Sequence, residues 1–258
     1  MSEIARQKSA EYDNPALYDL ENAVVDEMPI LLRLAGETGG PILDLACGTG
    51  RTTLPMADAG FEVTGVDASE PMLARAREKA HEQGLAVAFH LQDCAHLELP
   101  LTARMATMNG HAFQEFLTNE AQDDLLRAVS RHLAPGGVFV FDTRFPSRDN
   151  LLKPEGEQPW QTVTDERGWT IAASVIWSYD AVSQIQDYVM IDRISDTTGA
   201  AEETRSTGRL RYTWPREMDR LLDTHGFDLD TIYGEWDESP LAADSYDMVV
   251  VARKRGLR

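Results

Sequence analysis

The pattern of hydrophobic and polar residues divides the chain into three parts. In residues 16–35 apolar side chains recur at helical spacing, which predicts one or two helices with a break at Pro29. From Gly40 to Arg144, short apolar runs alternate with amphipathic stretches. The runs are PILDLA, FEVTGVD, AVAFHLQD, RMATMNG and VFVFDTR. Strands that alternate with helices in this way predict a parallel sheet with helices on both faces.

After Arg144 the pattern changes to that of β structure. Residues 151–168 are rich in proline, glycine and charge, and we expect them to form a long loop. Three segments then read as strands: WTIAASVIWSYD, QIQDYVMIDRIS and RSTGRLRYTW. They should pair antiparallel, because no long helix separates them. A helix from Pro215 to Gly226 and two last strands return the chain to the first sheet.

Composition narrows the classes of function. The chain has 258 residues, with 24 Lys and Arg against 43 Asp and Glu, which gives a formal net charge of −19. This charge repels phosphate backbones and anionic lipids, so we expect no nucleic acid and no membrane as partner. The two cysteines, Cys47 and Cys94, lack the spacing of a disulfide framework or a metal site, and we predict no metal. The first residues contain no apolar core, so we expect a cytoplasmic protein without a signal peptide.

The loop GTGRTT, residues 48–53, follows the first strand and raises the question of which cofactor it holds. A dinucleotide-binding loop would have a third small residue where Thr53 stands. Asp44, four residues before Gly48, would repel a pyrophosphate and attract an ammonium or a sulfonium. These two features argue against an NAD-dependent oxidoreductase.

Two further carboxylates end the next two strands. Asp67 is placed to accept hydrogen bonds from both hydroxyls of a ribose. Asp93 is placed to accept from the exocyclic amine of an adenine. A cationic amino acid, a ribose and an adenine laid across three successive strand ends describe S-adenosylmethionine.

These segments carry a family resemblance. The chain resembles the class I S-adenosylmethionine-dependent methyltransferases in LDLACGTGR, VTGVDASEPML, LQDCAHLELP and LAPGGVFVFDTR, which follow one another in the family's order over about residues 40–145. The resemblance implies an α/β fold with a Rossmann-like doubly wound sheet, mostly parallel with a terminal antiparallel strand, plus an inserted antiparallel β segment. It implies an N-terminal helical lid (1–39), a cofactor-binding domain (40–150 and 215–258) and the inserted segment (151–214).

The resemblance also assigns roles to residues of the cofactor site. The methionine end would contact Asp44 and the backbone of Ala46, Cys47, Gly48 and Gly50; the ribose would contact Asp67; the adenine would contact Ala68, Met72, Asp93 and Cys94; Asn109 would approach the sulfonium; and Tyr12 and Tyr18 would belong to the lid.

The acceptor leaves a weaker signature. His111 follows the fourth strand and is a candidate general base, although a structural histidine at a helix start has the same pattern. The inserted segment is rich in aromatic residues, which would line an acceptor pocket, form the segment's own core or form a homodimer face. Arg144, Tyr212 and Trp214 are candidate acceptor contacts.

The resulting hypothesis is a methyltransferase that acts on a small organic acceptor by direct in-line transfer. Nitrogen is favoured over oxygen, because similar inserted sheets occur in small-molecule N-methyltransferases. A small-molecule O-methyltransferase and a non-catalytic regulator that binds S-adenosylmethionine are the alternatives.

Overall fold

A computed structural model describes residues 14–165 and 167–256 of the chain, and the predicted lid residue Tyr12 lies outside them. The helices are α1 (Pro15–Glu21), α2 (Met28–Thr38), α3 (Thr53–Asp58), α4 (Glu70–Glu82), α5 (Asn119–His132), α6 (Arg148–Leu151) and α7 (Pro215–Thr224). The strands are β1 (Ile42–Leu45), β2 (Val63–Asp67), β3 (Ala88–Leu91), β4 (Ala103–Met108), β5 (Leu133–Arg144), β6 (Gln158–Thr164), β7 (Thr170–Asp180), β8 (Ile185–Ser195), β9 (Ala201–Arg211), β10 (Phe227–Tyr233) and β11 (Asp247–Lys254).

The larger sheet has seven strands in the order β10-β11-β5-β4-β1-β2-β3. Strands β1 to β5 are parallel, and β11 runs antiparallel to both β5 and β10. The predicted doubly wound fold with a terminal antiparallel strand is therefore confirmed. The strand order reverses between β1 and β4, so a crevice opens beyond the carboxyl ends of these two strands, where ligands bind in such sheets.

The second sheet consists of β6-β7-β8-β9, all antiparallel, and confirms the predicted inserted segment. Its base contacts the segment that follows β4, where the Gln114 side chain donates a hydrogen bond of 3.2 Å to the carbonyl of Arg211. Gln114 belongs to a short 3₁₀ helix, Ala112–Glu115, that follows β4. The inserted sheet thus stands beside the crevice.

Apolar residues pack on both faces of the larger sheet. In β5, Phe139 and Phe141 belong to one core cluster, whereas Val138 and Val140 belong to the other. This is the alternation expected of a strand that is buried on both sides. In the described part of the chain, no helix is long and apolar enough to cross a membrane.

The expected long loop over residues 151–168 was wrong. It contains the edge strand β6, which pairs antiparallel with β7. Its sequence, QPWQTVT, is polar and includes Pro159, which hides the strand signal. A proline is tolerated there because the strand lies at the sheet edge and the register shifts between Pro159 and Gln161.

Three predicted element ends also moved. Pro29 does not break a helix but lies in the first turn of α2, where its missing N–H costs nothing. The sequence predicts Asn119 as the cap of the helix that begins NEAQDDLL, but the cap of α5 is Thr118, whose side chain accepts from the N–H of Ala121. Trp214 lies outside β9, at the start of α7. Tyr212 also lies outside β9, so the two residues do not extend a strand face; Tyr212 is fully buried, whereas Trp214 is 42% exposed.

Gly65 of β2 gives a test of the packing beneath the crevice. A Cβ at this position would lie 2.8 Å from Cδ1 of Phe89 and 2.9 Å from Sγ of Cys47. We expect Gly65→Ala to lower the free energy of unfolding by about 1–3 kcal/mol, because a tightly packed core resists an added methyl group. Gly36→Ala is the matched control, because a Cβ added at this position of α2 would have no neighbouring atom within 4 Å. Its free energy of unfolding should stay equal or rise by up to about 1 kcal/mol, since alanine favours a helix more than glycine does. Urea unfolding would measure the free energy of unfolding of both variants. An unchanged value in Gly65→Ala would contradict the packing argument.

Candidate functional site

The glycine loop leaves β1 in a left-handed backbone conformation. Ala46, Gly48 and Gly50 have φ values of +51°, +56° and +80°. The N–H of Cys47 donates to the carbonyl of Val66 at 3.0 Å, which ties the loop to the neighbouring strand. Positive φ favours glycine, so Gly48 and Gly50 adopt this conformation without strain, whereas Ala46 adopts it as a non-glycine residue.

Asp44 is buried directly beneath the loop. Its Oδ2 accepts hydrogen bonds from the hydroxyls of Thr52 at 3.0 Å and Thr53 at 2.5 Å. Burial raises the pKa of Asp44 to about 6, against these hydrogen bonds. Thr53, the residue that departs from the dinucleotide pattern, therefore holds the carboxylate, which a glycine or alanine could not do.

Asn109 extends this network to β4. Its side-chain amide donates to Oγ1 of Thr52 at 3.2 Å and accepts from the hydroxyl of Thr107 at 2.9 Å. Asn109 is 8% exposed. The structure therefore joins Asp44 and Asn109, two predicted cofactor residues, through one threonine across the reversal in strand order.

Asp67 receives two backbone N–H groups at the end of β2. Its Oδ2 accepts from Gly48 and its Oδ1 from Ser69, each at 2.8 Å. This arrangement holds the glycine loop against the first turn of α4. The carboxylate lies at the strand end, as expected for a ribose-binding residue.

The predicted adenine side is formed after β2 and β3. Oδ1 of Asp93 accepts from the N–H of Ala95 at 2.9 Å and caps a short 3₁₀ helix, Cys94–His96. Met72 is 2% exposed, and its Cε lies 3.3 Å from the position that a Cβ would take at Gly48. Ala68 is exposed and Cys94 is buried.

Helix α1 lies over the glycine loop. The ring of Tyr18 is 4.0 Å from the Cβ position of Gly48, and its hydroxyl is 3.9 Å from that of Gly110. The predicted lid residue therefore lies between the loop and the residue that precedes His111.

Two ionic contacts hold this N-terminal region. Asp19 accepts from Thr49, Arg75 and Lys79 at 2.6, 3.0 and 2.8 Å. Burial acts to raise the pKa of Asp19, but the hydrogen bonds from these residues keep it below its usual value.

Arg51 of the glycine loop makes the second contact. Its guanidinium binds both carboxylate oxygens of Glu27, at 2.5 and 3.0 Å, and donates to the carbonyl of Val24 at 3.1 Å. Bidentate pairs of this kind are the more specific ion pairs.

His111 lies between two carboxylates. Its ring nitrogen Nε2 is 2.8 Å from Oδ1 of Asp247 and 3.5 Å from Oδ2 of Asp142. The backbone N–H of His111 donates to Oδ1 of Asp142 at 3.0 Å. Burial raises the pKa of Asp142, which the nearby His111 opposes. The three residues offer ligand atoms within 4.8 Å of one another, the spacing of a metal site. Hydrogen bonding accounts for this arrangement, and the prediction of no metal stays a prediction.

A cavity of about 530 Å³ opens between α1, the ends of β4 and β5, and the inserted sheet. Tyr18, His111 and Arg144, three of the predicted residues, line it. Tyr212 is buried away from this lining, with its hydroxyl 3.3 Å from Gln186. Trp214 lines a different cavity.

Sequence reasoning missed Asp142 and Asp247 at this site. Asp142 stands in the apolar run VFVFDTR, and Asp247 begins the apolar run DMVVVA. A carboxylate in a buried strand was the available signal. The sequence did not show that β5 and β11 are neighbours, and only this pairing brings both carboxylates to His111.

Comparisons with known proteins agree with this geometry. Residues 42–137 match the family described as a methyltransferase domain. The chain is 27% identical to the cypemycin N-terminal methyltransferase of a Streptomyces species over 95% of this chain and 98% of that protein. The solved CcbJ methyltransferase from Streptomyces caelestis superposes with a TM-score of 0.77 at 25% identity, over 95% of this chain and 98% of that one. The structure of CalS10 with bound S-adenosylmethionine, an amino pentose methyltransferase from Micromonospora echinaspora, has a TM-score of 0.70 at 22% identity, covering 97% and 93%.

The residues around the glycine loop fit S-adenosylmethionine, the cofactor of these relatives. Among the described residues, the side chains that donate hydrogen bonds to Asp44 are two neutral hydroxyls. A buried carboxylate with neutral partners and a raised pKa is stabilised by a cation, and the ammonium of the cofactor would supply one. The roles of individual residues toward the cofactor stay predictions.

Asp67→Ala should weaken the binding of S-adenosylmethionine by tenfold or more. The substitution removes the expected acceptor for the ribose hydroxyls and frees the N–H groups of Gly48 and Ser69. Isothermal titration calorimetry would measure the dissociation constant. Asp58→Ala, at an exposed carboxylate of α3, is the control. An unchanged dissociation constant in Asp67→Ala would contradict the assignment.

The affinity for S-adenosylmethionine should fall as the pH is lowered through about 6. Asp44 must be ionised to hold an ammonium, and burial raises its pKa to about 6, so below this pH a proton competes with the cofactor. Affinity should level off above it. Asp44→Asn should bind weakly without this pH dependence. Calorimetry from about pH 5 to about pH 8 would test it, and a flat wild-type profile would exclude Asp44 as the ammonium partner.

Proposed function

Because this chain belongs to the class I S-adenosylmethionine-dependent methyltransferases, we propose that it transfers the methyl group directly to an amine nitrogen of a small organic acceptor. When bound, S-adenosylmethionine supplies a methyl group that its sulfonium has already activated. What this chain must add is an oriented acceptor and a place for one proton.

The acidic character of the cavity is the observation that carries the proposal. Its lining contains seven carboxylates against three arginines: Glu21, Asp26, Glu27, Glu115, Asp142, Asp192 and Asp247 against Arg51, Arg144 and Arg205. An amine enters water-filled cavities mainly as an ammonium ion, which such a wall attracts. A neutral hydroxyl acceptor would gain nothing from this excess of negative charge.

The group around His111 can take the proton that an ammonium must lose before its nitrogen becomes a nucleophile. Because Nε2 faces the carboxylates of Asp247 and Asp142, that nitrogen carries the hydrogen in the neutral ring. The lone pair is then on Nδ1. In the proposal, Nδ1 receives the proton, while Asp247 and Asp142 fix the ring and balance its positive charge.

The comparisons support nitrogen as the target. The relative that is 27% identical over nearly the whole chain is named as a methyltransferase of a peptide N-terminus. Its name applies to that protein, and for this chain it makes an amine the first acceptor to test.

Matched amine and alcohol acceptors would test the choice of nitrogen. The purified protein with S-adenosylmethionine would be offered pairs that share one carbon skeleton, such as an amino sugar and its parent sugar. We expect a mass gain of one methyl group on the amine alone, with the new methyl on nitrogen by NMR. Methylation of the alcohols and not of the amines would contradict the proposal and favour O-methyl transfer.

His111→Ala should lower turnover by about a hundredfold, the scale of a lost general base. Asp247→Asn should lower it by about tenfold, since the ring loses one charged partner. Both variants should bind S-adenosylmethionine with unchanged affinity, because neither residue lies at the glycine loop. Asp244→Asn, at an exposed carboxylate three residues earlier, is the control. Wild-type turnover in His111→Ala would exclude it as the base.

A further inference from the structure

The cavity continues from His111 along one face of the inserted sheet. Alternate residues of β8 line it, namely Tyr188, Met190, Asp192 and Ile194. Their side chains share this face because side chains alternate along a strand. The cavity is thus longer than transfer to a compact amine beside His111 would require.

Asp192 is a carboxylate on this wall for which the described residues provide no partner. Its cross-strand neighbours on β7 and β9 are Ala173 and Thr204, neither of which is charged. Within residues 14–165 and 167–256, no side chain forms a hydrogen bond or an ion pair with it. Partial burial raises its pKa, and no cation of the sheet compensates.

The opposite face of the same sheet is organised differently. Arg193 is paired there with Glu157 and Glu203, and Arg209 with Asp187, in salt bridges of the kind absent at Asp192. Arg205, which also lines the cavity, is paired with Glu203. The arginines Arg193, Arg205 and Arg209 are therefore already paired with other carboxylates, and among the described residues none is paired with Asp192.

Aromatic rings occupy the wall between Asp192 and the base of the sheet. The ring centroids of Trp160 and Trp177 are 5.9 Å apart, and those of Trp177 and Tyr188 are 5.6 Å apart. Tyr188 lies over Gly208, where an added Cβ would come within 2.3 Å of its ring. The faces of aromatic rings attract cations, and the rings also pack against an apolar chain that carries a cationic group.

Asp192 lies well along the inserted sheet from the end that contacts the segment after His111. It pairs with Thr204, which is seven residues along β9 from Arg211. The carbonyl of Arg211 bonds to Gln114, three residues after His111. At the rise of a β-strand, seven residues correspond to roughly 20 Å.

We propose that Asp192 and the rings of Trp160, Trp177 and Tyr188 form a second acceptor subsite, which binds a cationic group remote from the methylated amine. The acceptor class is then an elongated molecule with two cationic centres joined by an apolar stem. The inference rests on the proposed function only in that the near end of the acceptor is taken to be the amine beside His111.

Two long ligands that differ only at one end test the subsite. Diaminododecane has an amine at both ends, whereas aminododecanol has a hydroxyl in place of one amine. Calorimetry on the protein saturated with S-adenosylhomocysteine should show the diamine binding about fivefold more tightly, the scale of a partly exposed ion pair. Asp192→Asn should remove this preference.

Asp187→Asn is the matched control, since it changes a carboxylate of the same strand on the opposite face. It should keep the wild-type preference for the diamine. Equal affinity of the two ligands for the wild-type protein, a preference that survives in Asp192→Asn, or no binding of either ligand would each overturn the proposal.

A methyl-transfer assay with the same two ligands separates this inference from the proposed function. Methylated amine without an Asp192-dependent preference would refute the subsite and leave the N-methyltransferase intact. An Asp192-dependent preference without methylation of any amine would support the subsite and count against amine transfer.

Discussion

The burial of one carboxylate, Asp44, is the constraint on which the site depends. The first strand ends beneath a glycine loop, and the charge there must be satisfied without water. Two threonine hydroxyls from the start of α3 supply the hydrogen bonds, and one of them also binds Asn109 at the end of β4. The same contacts therefore shape the loop and join the two strands at the reversal. His111 lies two residues after Asn109, so the same strand end positions residues of the cofactor side and of the acceptor side.

The N-terminal region adds a connection between these two sides. Asp19 binds Thr49 of the loop and the basic residues of α4, while Glu27 holds Arg51. Residues of the same region line the acceptor cavity. Breaking these partly buried ion pairs would cost free energy, so they hold the glycine loop and the cavity wall together.

Negative charge has different roles in different parts of the molecule. On the outer face of the inserted sheet, carboxylates are paired with arginines, whereas the cavity holds more carboxylates than cations. At His111, two carboxylates lie within 3.5 Å of Nε2 of one imidazole. The net charge of −19 argued only against nucleic acid and membrane as partners. Its distribution over the two faces, which concerns the acceptor, is a property of the folded chain.

The sequence by itself determined the alternating α/β pattern, the glycine loop, and the carboxylates Asp44, Asp67 and Asp93 at strand ends. These features are local: hydrophobic period, turn residues and the order of segments along the chain predict them. It failed at β6, where an edge position tolerates polar residues and Pro159, so that little periodicity remains.

Only the tertiary structure decided the acceptor side. Asp247 lies 136 residues from His111 and meets it because β11 inserts antiparallel next to β5. Asp192 lines the cavity because its face of the inserted sheet forms part of the cavity wall. Trp214 does not line this cavity, because it lies at the start of α7. Contacts between distant segments depend on strand order and register, which local patterns do not encode.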